Sequence, residues 1–86
     1  MKLVLCSIFD SAVENFSPPF CVRATGLALR DFTREANNPS SRISQSPKDF
    51  TLFNLGVFDD EAGVVTMHTA PIRLVSGHEV LEASNG

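Results

Sequence analysis

Tryptophan and tyrosine are absent from this sequence, cysteine occurs only twice, and its seven Lys and Arg are outnumbered by ten Asp and Glu. Each shortage removes something. Without Trp or Tyr there are few rings for single-stranded nucleic acid to stack on, and most of the seven Phe stand where a core would want them. Only Phe16 and Phe20, beside Pro18 and Pro19, look free to serve. A net charge of −3 opposes broad coverage of phosphate, which depends on Lys and Arg releasing counterions, although a local basic patch stays open. Cys6 and Cys21 fit neither a Cys-x-x-Cys nor a Cys/His spacing, so both are expected as buried free thiols rather than zinc or redox ligands. No run approaches the roughly 18 apolar residues of a membrane span. The apolar start Leu3 to Phe9 meets Asp10 with no clean cleavage site after it, and reads as a strand rather than a signal peptide.

What is present fits one small domain over positions 1–86, near the lower size limit for a self-sufficient core. Leu3 to Phe9 is apolar on both faces, as in the middle of a sheet. Asp10 to Pro19 has loop composition, and Phe20 to Arg23 is a short strand antiparallel to the first. Thr25 is placed to cap a helix running to Asn37, with Ala28, Leu29, Phe32 and Ala36 in one apolar stripe and Arg30, Asp31 and Arg34 opposite. Asn37-Asn38-Pro39 ends it. Ser40 to Lys48 reads as a surface loop with Ile43 tucked down.

The clearest hairpin signal is Phe50 to Met67, turning through Asp59-Asp60-Glu61-Ala62-Gly63. Phe53 and Leu55 share one face while Phe58 falls out of phase with them, and a bulge at Gly56 would bring all three to the core side. Ile72 to Val75 makes a last strand, and Ala83 to Gly86 is expected to fray. The fold class is α+β: a single antiparallel sheet of four or five strands with one helix on one face, in the order ββαβββ.

Chemistry is scarce. Asp59, Asp60 and Glu61 lack the alternating ligands of a calcium loop and suit a solvated turn. His68 and His78 have no third ligand in register. There is no nucleophile elbow and no phosphate-cradling loop, so neither enzyme activity nor a cofactor or metal is expected. The contact candidates are Arg23, Arg30, Arg34 and Arg42, which could gather on one side of the helix, together with Leu27 on the charged face. The neighbouring Asp31 and Glu35 argue for an ordinary solvated helix instead.

One ordered set of features, Ile8-Phe9-Asp10, Pro18-Pro19-Phe20, Ala28-Leu29-Arg30-Asp31-Phe32, and Pro47 through Gly63, resembles the small nonstructural protein of gokushovirus-type Microviridae, phages with single-stranded DNA genomes. The sequence departs from that pattern with Phe9 and Phe53 where tyrosine often stands. The resemblance implies a replication or packaging accessory in the host cytoplasm, with weak contact to single-stranded DNA. The other reading is a protein-interaction module that binds a host or viral protein. Because one helix covers one face while Leu3, Leu5 and Phe9 oppose Val4, Cys6 and Ile8, a homodimer is also expected.

Overall fold

The computed structural model describes residues 1–82, so the tail from Ala83 to Gly86 lies outside the described residues. The strands are β1 (Lys2–Asp10), β2 (Asn15–Phe16), β3 (Phe20–Val22), β4 (Phe50–Asp59) and β5 (Val64–Ser76). The helices are α1 (Thr25–Ala36) and the one-turn α2 (Arg42–Gln45), and 3-10 turns span Pro47–Asp49 and Gly77–Glu79. All strands form one antiparallel sheet: β2 and β3 share one side of β1, β4 pairs with the other, and β5 forms the outer edge. The expected class is correct. The helix, however, follows the third strand rather than the second, because β2 adds Phe9↔Phe16 and Asp10↔Asn15 pairs inside the segment read as loop.

The two apolar faces of β1 meet different fates. Cys6, Leu52, Ala28, Phe32, Ala36 and Ile43 form the buried core, with Val4, Ile8, Phe20, Val22, Phe50 and Val75 packed around it. These strand residues face α1. Cross-strand partners share a face, so Leu3, Leu5, Ser7 and Phe9, paired with Phe58, Gly56, Phe53 and Thr51, look the other way. Cys21, the partner of Leu5, shares that outer face and is exposed, against the expectation that both thiols are buried. Burial raises the pKa of Cys6 above its ordinary value. Phe20 turns inward to the core, and Phe16 remains exposed.

Local rules were obeyed with shifts of a residue or so. The N-cap of α1 is Ala24, whose side chain makes no capping bond, and Thr25 is the first helical residue. Leu29 is only partly buried, and Leu27 is half-buried outside the core. Ile43 is buried as expected, but the segment around it folds as α2, capped by Ser41, whose Oγ accepts from the Ile43 amide at 3.2 Å.

The bulge in β4 falls at Leu55: Cys6 pairs with Asn54 and Leu5 with Gly56, leaving Leu55 unmatched. Phe53 and Phe58 do share a face, but it is the one away from α1. Gly56 has its own reason. A Cβ there would collide with the Thr66 carbonyl oxygen and stand 2.9 Å from the Met67 Cα, so only glycine lets β5 come this close.

The two strands read separately as Val64 to Met67 and Ile72 to Val75 are one strand through Pro71. Residues 68–71 have no partner in β4, because Gly56 pairs with Met67 and Asn54 with Ile72. An edge strand tolerates proline at such an irregularity.

Candidate functional site

The five contact candidates do not form one cluster. Arg30 and Arg34, one turn apart on the outer side of α1, border a depression shared with Glu35 and Glu82. The Arg30 Nε lies 3.9 Å from Asp31 Oδ1, and both side chains are well exposed, so solvent screens the pair heavily. No carboxylate lies within 4.0 Å of Arg23 or Arg34 among the described residues. Arg42 belongs elsewhere: its Nη2 is 3.8 Å from the Asp10 Oδ2 at the end of β1, and the two line a separate depression with Asp49 and Phe50. Thirty-two positions separate the partners (42 less 10), which no local charge pattern reveals. Leu27 is half-buried beside the exposed arginines of the helix.

A second region lies on the far face of β1 that Leu3, Leu5 and Phe9 pointed to in the sequence, but Phe53 and Phe58 join it although they were expected on the core side. On the face away from α1, the Phe9 and Phe16 rings stand 4.8 Å apart, and Phe53 is edge-on to both, at 6.4 Å and 5.4 Å from centre to centre. Ser7 is fully buried beside Phe53 on the same face. Its Oγ donates to the Ser17 carbonyl at 2.7 Å, while the Ser17 Oγ accepts from the Ile8 amide at 3.0 Å. This face continues along the hairpin through Leu3, Phe58 and Val65, then Leu5 and Met67. Val64, Val65 and Met67 are exposed, where α1 does not reach. The alternation of β1 is the signal that pointed to this face, and the register of β4 adds Phe53 and Phe58 to it.

The turn Asp60 to Gly63 is built by Asp59, whose Oδ1 accepts from the amides of Glu61 and Ala62 at 3.0 and 3.3 Å. Those amides, Ala62 first, hold its carboxyl below the ordinary value. Gly63 supplies a φ of 68°. The Met1 ammonium group lies 2.7 Å from Asp60 and 3.6 Å from Glu61, and its hydrogen bond to Asp60 leads the causes that raise its pKa.

His68 is half-buried at 3.1 Å from the Asn54 Oδ1, which also accepts from the Gly56 amide, so it braces the bulge. His78 is exposed. Among the described residues, no group of three or more His, Cys, Asp and Glu is placed to hold a metal ion, and no helix is long and apolar enough to cross a membrane.

At the opposite end, Asn37 ties the chain's last described residues to α1. Its Nδ2 donates to the Thr33 and Val80 carbonyls at 2.8 and 3.0 Å, and its Oδ1 accepts from the Glu82 amide at 2.7 Å.

The chain matches no curated protein and no solved structure. A family match spans residues 3–80, from the start of β1 to the last turn, and therefore takes in both candidate surfaces. On that match the chain belongs to the Phage ORF5 protein family, and it is a phage accessory protein.

Proposed function

We propose that this chain is a non-enzymatic accessory of single-stranded DNA replication or packaging, of the gokushovirus type within the Microviridae, acting in the host cytoplasm. It touches single-stranded DNA weakly through Arg23, Arg30 and Arg34. The supporting observation is that these guanidinium groups stand in solvent along the start and outer side of α1, and among the described residues only Arg30 of the three has an acid within 4.0 Å, at 3.9 Å. Arg42, drawn toward Asp10, contributes less.

Three phosphates neutralised on a single strand give a slope of log affinity against log salt of about −2. Titration of an oligonucleotide at several salt concentrations tests this. The expected result is weak binding with that slope, lost in an Arg30→Glu, Arg34→Glu double variant. Equal, negligible binding by both proteins overturns the DNA reading.

That outcome would leave the other reading, a module that works by protein contact alone. It is favoured by the exposed apolar side chains on the face away from α1. Pull-down from infected cells, scoring genome DNA and proteins separately, distinguishes the two.

A further inference from the structure

We propose that Glu82 is a built-in competitor for the phosphates that Arg30 and Arg34 take, held beside them by Asn37, so that this clasp lowers the affinity of the chain for single-stranded DNA. The inference rests on the DNA reading above and concerns how that same surface is regulated. Asn37 is the C-cap of α1, seven residues after Arg30 (37 less 30) and three after Arg34 (37 less 34). At about 100° per residue it returns to within about 20° of Arg30 and about 60° of Arg34 around the helix, so the three side chains leave one side of α1. Along the axis, at about 1.5 Å per residue, Arg34 is about 5 Å and Arg30 about 10 Å away.

The Asn37 amide group spans the helix and the segment that crosses its end. Its Nδ2 donates to the Thr33 carbonyl at 2.8 Å and the Val80 carbonyl at 3.0 Å, and its Oδ1 accepts from the Glu82 amide at 2.7 Å. Bonds to two residues so close in sequence fix the course of the backbone between them, and Val80 is anchored further by packing against the core. Glu82 is therefore pinned on the arginine side of α1, where it borders one depression with Arg30, Arg34 and Glu35. Glu35 belongs to the helix itself, whereas Glu82 is there only because of the clasp. No ion pair locks it in place: among the described residues Arg34 has no carboxylate within 4.0 Å, and Arg30 reaches only Asp31. An acid held near the guanidinium groups without engaging them leaves both open to phosphate while repelling the phosphate that approaches. Across a few ångströms of salt water, one such repulsion is worth about twofold in affinity.

The test titrates an oligonucleotide into the full chain at fixed low salt, beside three variants. Glu82→Gln removes the charge but keeps the backbone amide that Asn37 holds, and it should bind about twofold more tightly. Glu61→Gln removes the same charge from the hairpin turn and should bind like the native chain, which separates a local competitor from net charge. Asn37→Ala leaves the charge unaltered and opens the clasp, so it should also tighten binding. Faster hydrogen exchange at the Glu82 amide shows that the clasp has opened, and an unchanged circular dichroism spectrum shows that α1 persists. Native binding that is the same in Glu82→Gln, or that Glu61→Gln raises equally, overturns the competitor and leaves the DNA reading standing. If neither the native chain nor any variant binds, both fall together.

Discussion

The β1–β4 ladder, from Lys2↔Asp59 to Asp10↔Phe50, has two ends that are built from similar residues with opposite outcomes. At the end near Ile8, Leu52 and Val75, the face toward α1 is roofed by Phe32, Ala36 and Ile43, and Leu52 has no exposed surface. At the other end, around Val57, Val64 and Val65, strands of the same apolar character have no roof. Strand propensity and cross-strand pairing suffice to form a ladder, but burial comes only where a second layer lies over it. A helix of 12 residues spans about 18 Å at 1.5 Å per residue, too short for the whole sheet. The bare end is therefore held by its ladder and its turn alone.

The sharpest way to break this comparison is to truncate one apolar side chain in each half. Leu52→Ala removes a fully buried side chain beneath α1 and is expected to cost about 2–5 kcal/mol, much of this domain's margin. Val65→Ala, 49% exposed in the bare half, should stay within about 0.5 kcal/mol. Urea denaturation of both variants measures the contrast, and equal losses would mean that the outer half is covered in solution.

Gly56→Ala acts at the junction between the halves. Its added methyl group meets the Thr66 carbonyl and the Met67 Cα, so β5 must move outward, at a cost of about 1–3 kcal/mol. Hydrogen exchange should then quicken in the amides of Val64 to Met67 before those of Leu52 and Val75. Uniform quickening would show that the two halves open as one unit.

The same contrast explains what could be read in advance. The two-sided apolar pattern of β1, the helix stripe of Ala28, Phe32 and Ala36, the inward Ile43 and the turn closed by Gly63 all follow from local periodicity and turn chemistry. What escaped depends on distant contacts. β2 exists because Phe16 finds Phe9 and Phe53, the bulge at Leu55 is set by pairing with β1, and Arg42 leaves the other arginines because Asp10 lies within 3.8 Å. Of the candidate site, the exposure of Arg23 just before α1 and of Arg30 and Arg34 on it was legible. The outer apolar face was legible in Leu3, Leu5 and Phe9, but the share of Phe53 and Phe58 in it was hidden, since both look like core residues until the register is known.

α1 also offers a gain. Its N-cap, Ala24, has the extended backbone of a capping residue but no side-chain acceptor, and the first turn contains no acid. Ala24→Ser is expected to stabilise the covered half by about 1 kcal/mol, measured as a rise in the thermal midpoint, without altering hairpin exchange. A matching rise in hairpin protection would again indicate one cooperative unit.

The smallest expected effects are in pH dependence, where each half has one depressed carboxyl. In the bare half Asp59 is held below its ordinary 3.8 by the amides of Ala62 and Glu61. At the covered end Glu79 is held below 4.5, first by the Ser76 amide, 2.7 Å from its Oε1, and then by Arg73. A carboxyl depressed by folding binds its proton more weakly in the native than in the unfolded chain. Its contribution is therefore complete above the ordinary value and disappears as pH falls through the depressed one. Asp59→Asn and Glu79→Gln should each be less stable than the native chain above about pH 5 and converge with it in more acid solution. Both groups lie at the surface, so the shifts are modest and are best followed as thermal midpoint against pH. Because the Asp59 amides belong to the turn itself, its variant should loosen exchange only around Glu61 to Gly63. Glu79 bonds Ser76 and Arg73 of β5, so its variant should reach into the strand, and an effect confined to the turn Gly77–Glu79 would show that this end of the edge is held by β4 alone.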